Sequence, residues 1–378
     1  MENIHTLLQN TSVEWKTLEE VAEYEQPTKY LVKSSQYNDN FPIPVLTAGK
    51  TFILGYTDET DGIYKASENP VIIFDDFTTA NKWVDFDFKA KSSAMKMITS
   101  KDEKIALIKY IYYWLNTLPN ELTEGDHKRQ WISNYALKKI PIPPLSVQKE
   151  IVRILDTFTE LTAELTAELT ARKKQYNFYR EQLLSVDDKG LMNGVKAEWK
   201  TLGEVALIGT GNHDTKDAID DGKYIFYARG IAPLKLNSFD FDETAIITAG
   251  DGVGVGKVFH WAVGKYALHQ RAYRIVPNEK EIYHRYVYHY IVANFYSYIE
   301  KTSVSSSVTS MRKPMFLKFP IPIPPLSEQE RIVSILDKFD TLTTSISEGL
   351  PKEIELRQKQ YEYYREQLLD FPKHKIAS

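Results

Sequence analysis

Few residue patterns in this sequence could support catalysis. Residues 252–257 read Gly-Val-Gly-Val-Gly-Lys, which invites comparison with a phosphate-binding loop. Such a loop needs four residues between its first glycine and the Gly-Lys pair, and then Ser or Thr. Here Val258 follows the lysine. We therefore interpret the segment as a glycine-rich turn beside a strand.

Metal and thiol chemistry are equally poorly supported. The chain has no cysteine, which excludes disulfides, thiolate nucleophiles and cysteine-type zinc sites. The pairs His213 with Asp214 and His284 with His289 lack the fixed spacing that metal ligands usually show. Asn69-Pro70-Val71 is the nearest match to an amino-methyltransferase motif, and it lacks the second proline. The sequence predicts neither a catalytic centre nor a metal site.

Several polar segments carry groups that could bind nucleic acid. Gln270 and Arg271, which follow His269, can make bidentate contacts to adenine and guanine. Polar loops at residues 125–130 and 302–313 offer hydroxyl, amide and guanidinium groups for phosphate oxygens and base edges, although surface linkers have a similar composition. A basic block is interpreted as either a solvated helix face or a phosphate-contacting surface. It contains Lys89, Lys91, Lys96, Lys101, Lys104 and Lys109.

The elements that would position these groups are stated twice. Residues 140–148 read IPIPPLSVQ, and residues 321–329 read IPIPPLSEQ. A later block, Tyr-Arg-Glu-Gln-Leu-Leu, occupies residues 179–184 and 364–369, and the segment Glu-Trp-Lys-Thr-Leu occupies residues 14–18 and 198–202. We call residues 14–18 and 198–202 the openers, and residues 140–144 and 321–325 the lead-ins. This duplication predicts two half-molecules related by an approximate two-fold axis, with antiparallel helices.

A long helix is predicted after each lead-in, because alternating prolines hold the lead-in extended. From residue 146 to 184 such a helix would be roughly 55–60 Å long, and its apolar stripe requires a partner helix. We predict a capping box at Ser327 and Glu330, and a break at Gly349 with a restart at Pro351. The first stripe comprises Ile151, Leu155, Phe158, Leu161, Leu165, Leu169, Tyr176, Tyr179 and Leu183.

The two regions between openers and lead-ins, residues 13–139 and 197–319, barely resemble each other. Strand-like runs are predicted at 69–77 and 83–88 in the first variable region, and at 224–227, 244–248 and 266–276 in the second. A late aromatic helix is predicted in each, at 103–117 and 281–301. Each region is therefore interpreted as an α+β domain of about 120 residues, with Tyr286, Tyr290 and Tyr298 in the core.

Overall composition bounds the class of protein. At 378 residues the chain is long enough for two or three domains. No apolar run approaches the roughly 20 residues of a membrane span, and the first twelve residues lack a signal peptide's apolar centre, so we expect a soluble, cytoplasmic protein. A formal charge of −4 argues against a mainly electrostatic DNA binder.

Two dissimilar domains, each closed by Ile-Pro-x-Pro-Pro-Leu-Ser-x-Gln and a long helix, resemble the specificity (S) subunit of type I restriction-modification systems. The tandem Leu-Thr-Ala-Glu at 161–168, continued by Leu-Thr-Ala at 169–171, resembles the type IC branch. The resemblance covers the whole chain. It implies an α+β fold with two globular target recognition domains separated by two long antiparallel helices, which form an intramolecular coiled coil with a pseudo-two-fold internal repeat.

The resemblance also implies a division of the chain. An N-terminal cap segment would comprise residues 1–12, and the first target recognition domain residues 13–139. A spacer helix with its linker would follow at 140–196, the second target recognition domain at 197–319, and the second spacer helix with a C-terminal tail at 320–378.

By the same resemblance, the chain is a non-catalytic subunit that binds a bipartite, asymmetric target in double-stranded DNA. It would join two methyltransferase (M) subunits and, with restriction (R) subunits, form an ATP-dependent nuclease. S-adenosylmethionine, ATP and magnesium would be bound by those partners. The helices would act as a ruler, because one Leu-Thr-Ala-Glu unit adds about 6 Å and about 40° of rotation.

Specific residues are assigned to these roles. For DNA binding we predict Lys91, Lys128, Arg129, Arg229, His269, Gln270, Arg271, Ser305, Ser307, Thr309 and Arg312. For partner docking we predict Tyr179, Arg180, Tyr364 and Arg365, each of which could equally pack within the coiled coil. The competing hypothesis is a non-catalytic coiled-coil adaptor that holds two protein-binding domains at a fixed separation.

Overall fold

The computed structural model describes residues 11–49, 51–119, 129–278, 280, 282–302 and 310–371. The chain divides into two compact units, Met1–Leu165 with Ile354–Ser378, and Thr166–Glu353. Each unit contains one variable region and segments of the long helices. None of the described helices combines the length and apolar character that a bilayer span requires.

The long helix predicted after the first lead-in is confirmed as one uninterrupted element of 39 residues. Short helices flank the openers, and longer ones lie late in each variable region. In chain order the described helices are α1 (Leu18–Val21), α2 (Ile108–Leu115), α3 (Gln130–Ser133), α4 (Leu145–Leu183), α5 (Leu202–Val205), α6 (His284–Thr302), α7 (Lys313–Leu317), α8 (Leu326–Thr344) and α9 (Leu350–Leu369).

The second long helix is broken between α8 and α9, as predicted. Gly349 precedes α9 with a φ of +82°, a conformation that favours glycine. A Cβ atom at this position would lie 2.4 Å from the carbonyl oxygen of Thr341, so a larger residue would force the two helix ends apart. Helix α9 begins at Leu350, one residue earlier than predicted, so Pro351 occupies its second position.

The described strands of the first unit are β1 (Glu14–Thr17), β2 (Ala22–Glu25), β3 (Ile43–Leu46), β4 (Ile53–Thr57), β5 (Val71–Asp75), β6 (Asn81–Val84), β7 (Lys89–Ala90), β8 (Met95–Ser100) and β9 (Lys139–Ile142). They form a four-stranded antiparallel sheet of order β2-β8-β5-β6, a three-stranded sheet of order β4-β3-β7, and the two-stranded ribbon β1-β9. Strand β5 is buried along its whole length and forms the centre of the first variable region.

The described strands of the second unit are β10 (Leu191–Met192), β11 (Val195–Lys196), β12 (Glu198–Thr201), β13 (Ala206–Thr210), β14 (Tyr224–Tyr227), β15 (Leu234–Leu236), β16 (Phe241–Ala249), β17 (Phe259–Leu268), β18 (Ala272–Pro277) and β19 (Pro320–Ile323). Six of them form a sheet of order β13-β18-β16-β17-β14-β15, in which β14 and β17 are parallel. The others form the two-stranded ribbons β10-β11 and β12-β19.

Most predicted strands are confirmed, and two are wrong. The run 83–88 is largely irregular, since β6 ends at Val84. The run 266–276 is two strands, because β17 ends at Leu268 and β18 begins at Ala272. The intervening turn brings Gln270 and Arg271 to the surface. The glycine-rich segment 252–257 lies in the turn between β16 and β17, as predicted.

Each opener pairs with its own lead-in as an antiparallel ribbon. Trp15 lies opposite Pro141 in the first ribbon, and Trp199 lies opposite Pro322 in the second. The extended conformation predicted for the prolines is therefore confirmed, and it closes the two ends of each variable region against each other.

The predicted capping box at Ser327 is wrong, because α8 begins after Pro325 with no capping hydrogen bond from a side chain. Capping boxes of this pattern begin in the openers instead, where Thr17 pairs with Glu20 and Thr201 with Glu204. In both openers, hydrogen bonds from the threonine lower the pKa of the glutamate. The predicted Ser/Thr-x-x-Glu capping box therefore occurs in the structure, but it begins at Thr17 and Thr201 and not at Ser327.

A buried glutamine fastens each variable region to the start of its long helix. The side chains of Gln148 and Gln329 are fully buried. The Gln148 Oε1 accepts a hydrogen bond from the Leu107 amide at 2.9 Å, and the Gln329 Oε1 accepts one from the Tyr283 amide at 2.8 Å. In each case the Nε2 group donates to a proline carbonyl of its own lead-in, at 2.8 Å. We call these the glutamine joints.

Each glutamine joint is reinforced by an aspartate that lies about two turns further along the same helix. Asp156 and Asp337 each accept from a basic residue and lie beside an aromatic residue, both supplied by the helix of the variable region. The contacts are Lys109 and Tyr113 to Asp156, and Arg285 and His289 to Asp337. The same set of a glutamine, an aspartate, a basic residue and an aromatic residue thus forms in two otherwise unlike domains.

Buried tyrosines complete the correspondence. The Tyr110 and Tyr286 hydroxyls each donate to a lead-in carbonyl, of Pro141 and Pro322 respectively, at 2.7 Å. The predicted core position of Tyr286 is confirmed by its complete burial, and Tyr290 is buried with it. Tyr298 packs partly buried against the same core.

Replacing the glutamine of either joint tests its role directly. Gln148→Ala should leave buried backbone groups unpaired, at a cost of about 2–4 kcal/mol, and should speed hydrogen exchange at the Leu107 amide by at least about tenfold. Gln329→Ala should do the same at Tyr283. Ser327→Ala is the control, because Ser327 makes no capping bond. Unchanged Leu107 and Tyr283 exchange in the glutamine variants would contradict the assignment.

Candidate nucleic-acid interface

The turn between β17 and β18 presents the predicted base-contacting residues. The backbone amide of Gln270 donates to the carbonyl of His213, at 2.9 Å, and its side-chain Nε2 donates to Asp214 Oδ2, at 3.1 Å. Arg271 keeps 64% of its side chain exposed. Both predicted residues therefore project from a turn whose backbone is held by hydrogen bonds.

Asp251, which follows β16, lies between two arginines. Its Oδ1 is 2.9 Å from Arg229 Nη1 and its Oδ2 is 2.9 Å from Arg271 Nη1. Burial by itself would raise the pKa of Asp251, but the hydrogen bonds from Arg229 and Arg271 outweigh burial and the pKa is lowered. The carboxylate is thus ionised at neutral pH and bridges two loops.

His269 differs from its predicted role as a base contact, because only 2% of it is exposed. Its Nδ1 accepts a hydrogen bond from the Arg271 amide, at 2.9 Å. Burial, followed by the positive charge of Arg229, lowers the pKa of His269. The ring is therefore a neutral acceptor that shapes the turn below Gln270 and Arg271.

Asp251, Gln270 and Arg271 line a pocket of about 330 Å³ on the second unit. The segment after residues 303–309 contributes to it, since Ser310 pairs with Asp251 as an antiparallel bridge and the Met311 amide donates to the Gly250 carbonyl at 2.7 Å. The lining residues are Gly250, Asp251, Gln270, Arg271, Tyr273, Ser310 and Met311.

Three of the predicted loop residues, Ser305, Ser307 and Thr309, lie outside the described residues. Arg312 is described and exposed, one residue beyond the pocket lining. Of the predicted contacts, Arg229 and Arg271 thus meet at Asp251, and Gln270 lines the same pocket as Arg271.

In the first unit, Lys128 also lies outside the described residues, whereas Arg129 is exposed immediately before α3. The chain after Arg129 is firmly held. The Gln130 and Trp131 amides donate to the carbonyl oxygen and to Oδ1 of Asp76, each at 2.8 Å. This anchor positions Arg129 at the surface.

Neither interpretation of the basic block holds for Lys89 and Lys96, which are buried in strands. Lys89 lies 2.7 Å from Glu59, and Lys96 lies 3.5 Å from Asp76. Burial lowers the pKa of Lys96, with Asp76 opposing that effect. Lys91, by contrast, is exposed and its Nζ donates to Ser35 Oγ at 3.0 Å, so it keeps a position from which it could reach phosphate.

Asp251, Asp214 and Asp76 were absent from the predicted site residues. The contacts that bring these aspartates to the predicted residues span at least twenty residues of sequence, so no local spacing identifies them. The only local signal is at Asp251, an acidic residue placed between a strand and a glycine-rich turn.

The residues predicted to dock partners pack between helices. Tyr364 of α9 stacks on Phe158 of α4, with ring centroids 5.1 Å apart, and Tyr179 of α4 stacks on Phe339 of α8, at 5.7 Å. Arg180 and Arg365 lie over the neighbouring rings of Tyr176 and Tyr361. Tyr179 nonetheless remains 38% exposed, so part of this surface is free in the described chain.

Comparison with known proteins identifies the class. The family model described as the type I restriction modification DNA specificity domain matches residues 11–172 and again 195–356, once in each half of the chain. The match therefore reproduces the internal repeat.

Individual relatives agree. The EcoR124I/EcoR124II type I restriction enzyme specificity subunit of Escherichia coli is 50% identical over 100% of this chain and 99% of that subunit. A type I restriction-modification S subunit from M. genitalium superimposes with a TM-score of 0.68 at 17% identity, covering 96% of this chain and 98% of that chain. A chain of another type I restriction-modification system gives a TM-score of 0.52 at 16% identity, with 96% and 98% coverage.

The chain belongs to the family of type I restriction-modification DNA specificity proteins. It is the specificity subunit of a type I restriction-modification system, with the α+β fold and antiparallel long helices that the resemblance implied. The competing adaptor hypothesis is not supported by these comparisons.

Substitution of the buried Lys96 tests whether it has a structural role that the exposed Lys91 lacks. Lys96→Met should reduce the free energy of unfolding of the first unit by about 3–5 kcal/mol, because it leaves Asp76 buried without its cation. Lys91→Met, at an exposed position, should change it by less than about 0.5 kcal/mol. Denaturant unfolding of the two variants measures the difference, and equal stabilities would contradict the burial argument.

Proposed function

We propose that this specificity subunit recognises a bipartite, asymmetric target in double-stranded DNA, with one half-site read by each variable region. The observation that carries the proposal is the pair of glutamine joints, at Gln148 and Gln329. Two unlike domains are fastened by the same hydrogen bonds to repeated helices. We expect two unlike domains to read two different DNA sequences. The matching joints attach both domains to their helices in the same way.

The cluster on the second unit is suited to reading bases. Arg229, Gln270 and Arg271 are exposed or half-exposed, and Arg and Gln are the side chains that make bidentate contacts to guanine and adenine in the major groove. Arg312, with the predicted Ser305, Ser307 and Thr309, would contribute contacts to phosphate and sugar. His269 would act from below, by holding the turn.

On the first unit, Lys91, Arg129 and the predicted Lys128 would contact the other half-site. Lys91 and Arg129 are exposed, and cations at such positions release counterions when they neutralise phosphates. The buried Lys89 and Lys96 are not part of this surface.

Paired substitution of the turn residues tests the assignment. Gln270→Ala with Arg271→Ala should relax or abolish recognition of the second half-site and leave the first unchanged, because each bidentate contact discriminates by about 1–3 kcal/mol. Methylation mapping with the assembled complex measures both half-sites at once.

A matched control is available in the same unit. Lys223→Ala removes an exposed cation next to β14, at the opposite end of that strand from Arg229, and should alter neither half-site. Uniform weakening at both half-sites in the paired variant would mark the turn as structural and reject it as a reader.

The spacing of the half-sites would be set by α4. This helix is continuous through the tandem Leu-Thr-Ala-Glu segment, so its length is determined by residue number alone. Deleting residues 162–165 joins Leu161 to Thr166 and restores the Leu-Thr-Ala-Glu pattern, while it removes about 6 Å and about 40° of rotation.

The deletion should shorten the unread spacer by one or two base pairs, given roughly 3.4 Å and 34–36° per base pair. Both half-sites should stay the same. Methylation mapping that returned an altered half-site with the original spacer would refute the ruler mechanism.

The subunit would work in a complex in the cytoplasm. Two methyltransferase subunits, and restriction subunits where present, would supply the chemistry and bind S-adenosylmethionine, ATP and magnesium. The exposed edges of the stacked helix residues are the proposed docking surfaces, one on each unit. They belong to Tyr179, Arg180, Tyr364 and Arg365.

A further inference from the structure

Asp251 is a meeting point of four chain segments in the second unit. It follows β16, bonds Arg229 from the loop after β14, bonds Arg271 from the turn after β17, and pairs through its backbone with Ser310. The Gly250 amide also donates to the Arg271 carbonyl, at 2.8 Å. One carboxylate therefore sets the relative positions of two guanidinium groups, of which that of Arg271 lines the 330 Å³ pocket.

The two arginines bind different oxygens of the carboxylate and differ in their exposure. Each takes one oxygen through a single Nη1 contact at 2.9 Å, which leaves further N–H donors on each guanidinium. Arg271 is 64% exposed, Arg229 39%, and Asp251 21%. The more exposed Arg271 is thus held in one orientation while its outer donors face solvent.

An arginine that is oriented by a neighbouring carboxylate is better suited to contact a DNA base edge than a DNA phosphate. The negative charge of Asp251 opposes a phosphate group near it, whereas the neutral acceptors of a base edge are not repelled. Guanine presents two such acceptors, O6 and N7, in the major groove, and their separation matches the fork of a guanidinium. Loss of side-chain freedom in free Arg271 also reduces the entropy cost of binding.

We infer that Asp251 is a positioning residue that orients Arg271 for a bidentate contact to a guanine in the second half-site. This inference rests on the proposed function, since it deepens the reading role of the same turn. Arg229 completes the arrangement by holding the other carboxylate oxygen.

The test uses the whole complex with its methyltransferase subunits, on duplexes whose target has been mapped. Each guanine of the second half-site is replaced in turn by 7-deazaguanine, which lacks N7 but still pairs with cytosine. Wild-type protein should lose about tenfold in methylation efficiency at one guanine, the effect of one charge-assisted hydrogen bond. Arg271→Ala should show no such dependence at that guanine.

Asp251→Asn keeps the shape and removes the charge. It should reduce the 7-deazaguanine effect at that guanine to less than about threefold, with first half-site recognition unchanged. Retained recognition of the other base pairs of the second half-site shows that the second variable region of the variant is folded. Glu243→Gln is the matched control, because Glu243 accepts from Arg274 at 2.7 Å in the same sheet outside the pocket lining, and it should keep the wild-type dependence.

Three results would overturn the inference. They are a second half-site without guanine, wild-type protein that is indifferent to every 7-deazaguanine, and Asp251→Asn protein with the full wild-type dependence. Each can occur while Gln270→Ala with Arg271→Ala still abolishes the second half-site alone. Failure of the inference is thereby distinguished from failure of the proposed function.

Discussion

The architecture depends on one buried polar contact, made twice. Gln148 and Gln329 are completely buried, and a buried amide that lost its partners would cost several times what one hydrogen bond contributes. Each glutamine therefore requires that its variable region, its lead-in and its long helix stay together. The accepting carbonyls of Pro143 and Pro324 lie just beyond the ends of β9 and β19, and proline keeps its carbonyl acceptor although it lacks an N–H donor.

Around that contact the two halves solve the same problem with different residues. Lys109 and Tyr113 surround Asp156 in one half, and Arg285 and His289 surround Asp337 in the other. The acceptor is constant and belongs to the repeated helix, while the donors vary and belong to the variable regions. A scaffold of constant acceptors accommodates dissimilar domains without changes of its own.

Repetition and proline stiffness made the framework predictable from sequence. The continuous helix Leu145–Leu183, the break at Gly349 and the extended lead-ins all follow from local rules. The capping motif was placed at Ser327 because the pattern Ser-x-x-Glu is ambiguous locally, whereas Thr17 and Thr201 carry it in the structure. The strand pairing of opener with lead-in could not be read from either segment alone.

Only the part of the candidate site that is recognisable from residue type could be predicted from the sequence. Gln270 and Arg271 stand out by type, but Asp251 becomes meaningful only when β16, β17 and the loop after β14 meet. Lys96 shows the reverse error, since its charge indicated a surface and long-range packing placed it against Asp76. Contacts across many residues are set by tertiary structure, which local periodicity does not encode.

The most direct test of the account is single-molecule methylation sequencing of DNA exposed to the assembled wild-type complex. If each variable region reads its own half-site and α4 sets the spacing, the method should return one motif with two different specified halves. A constant number of unread bases should separate the two halves. A single continuous motif, two identical halves, or a variable gap between them would contradict it.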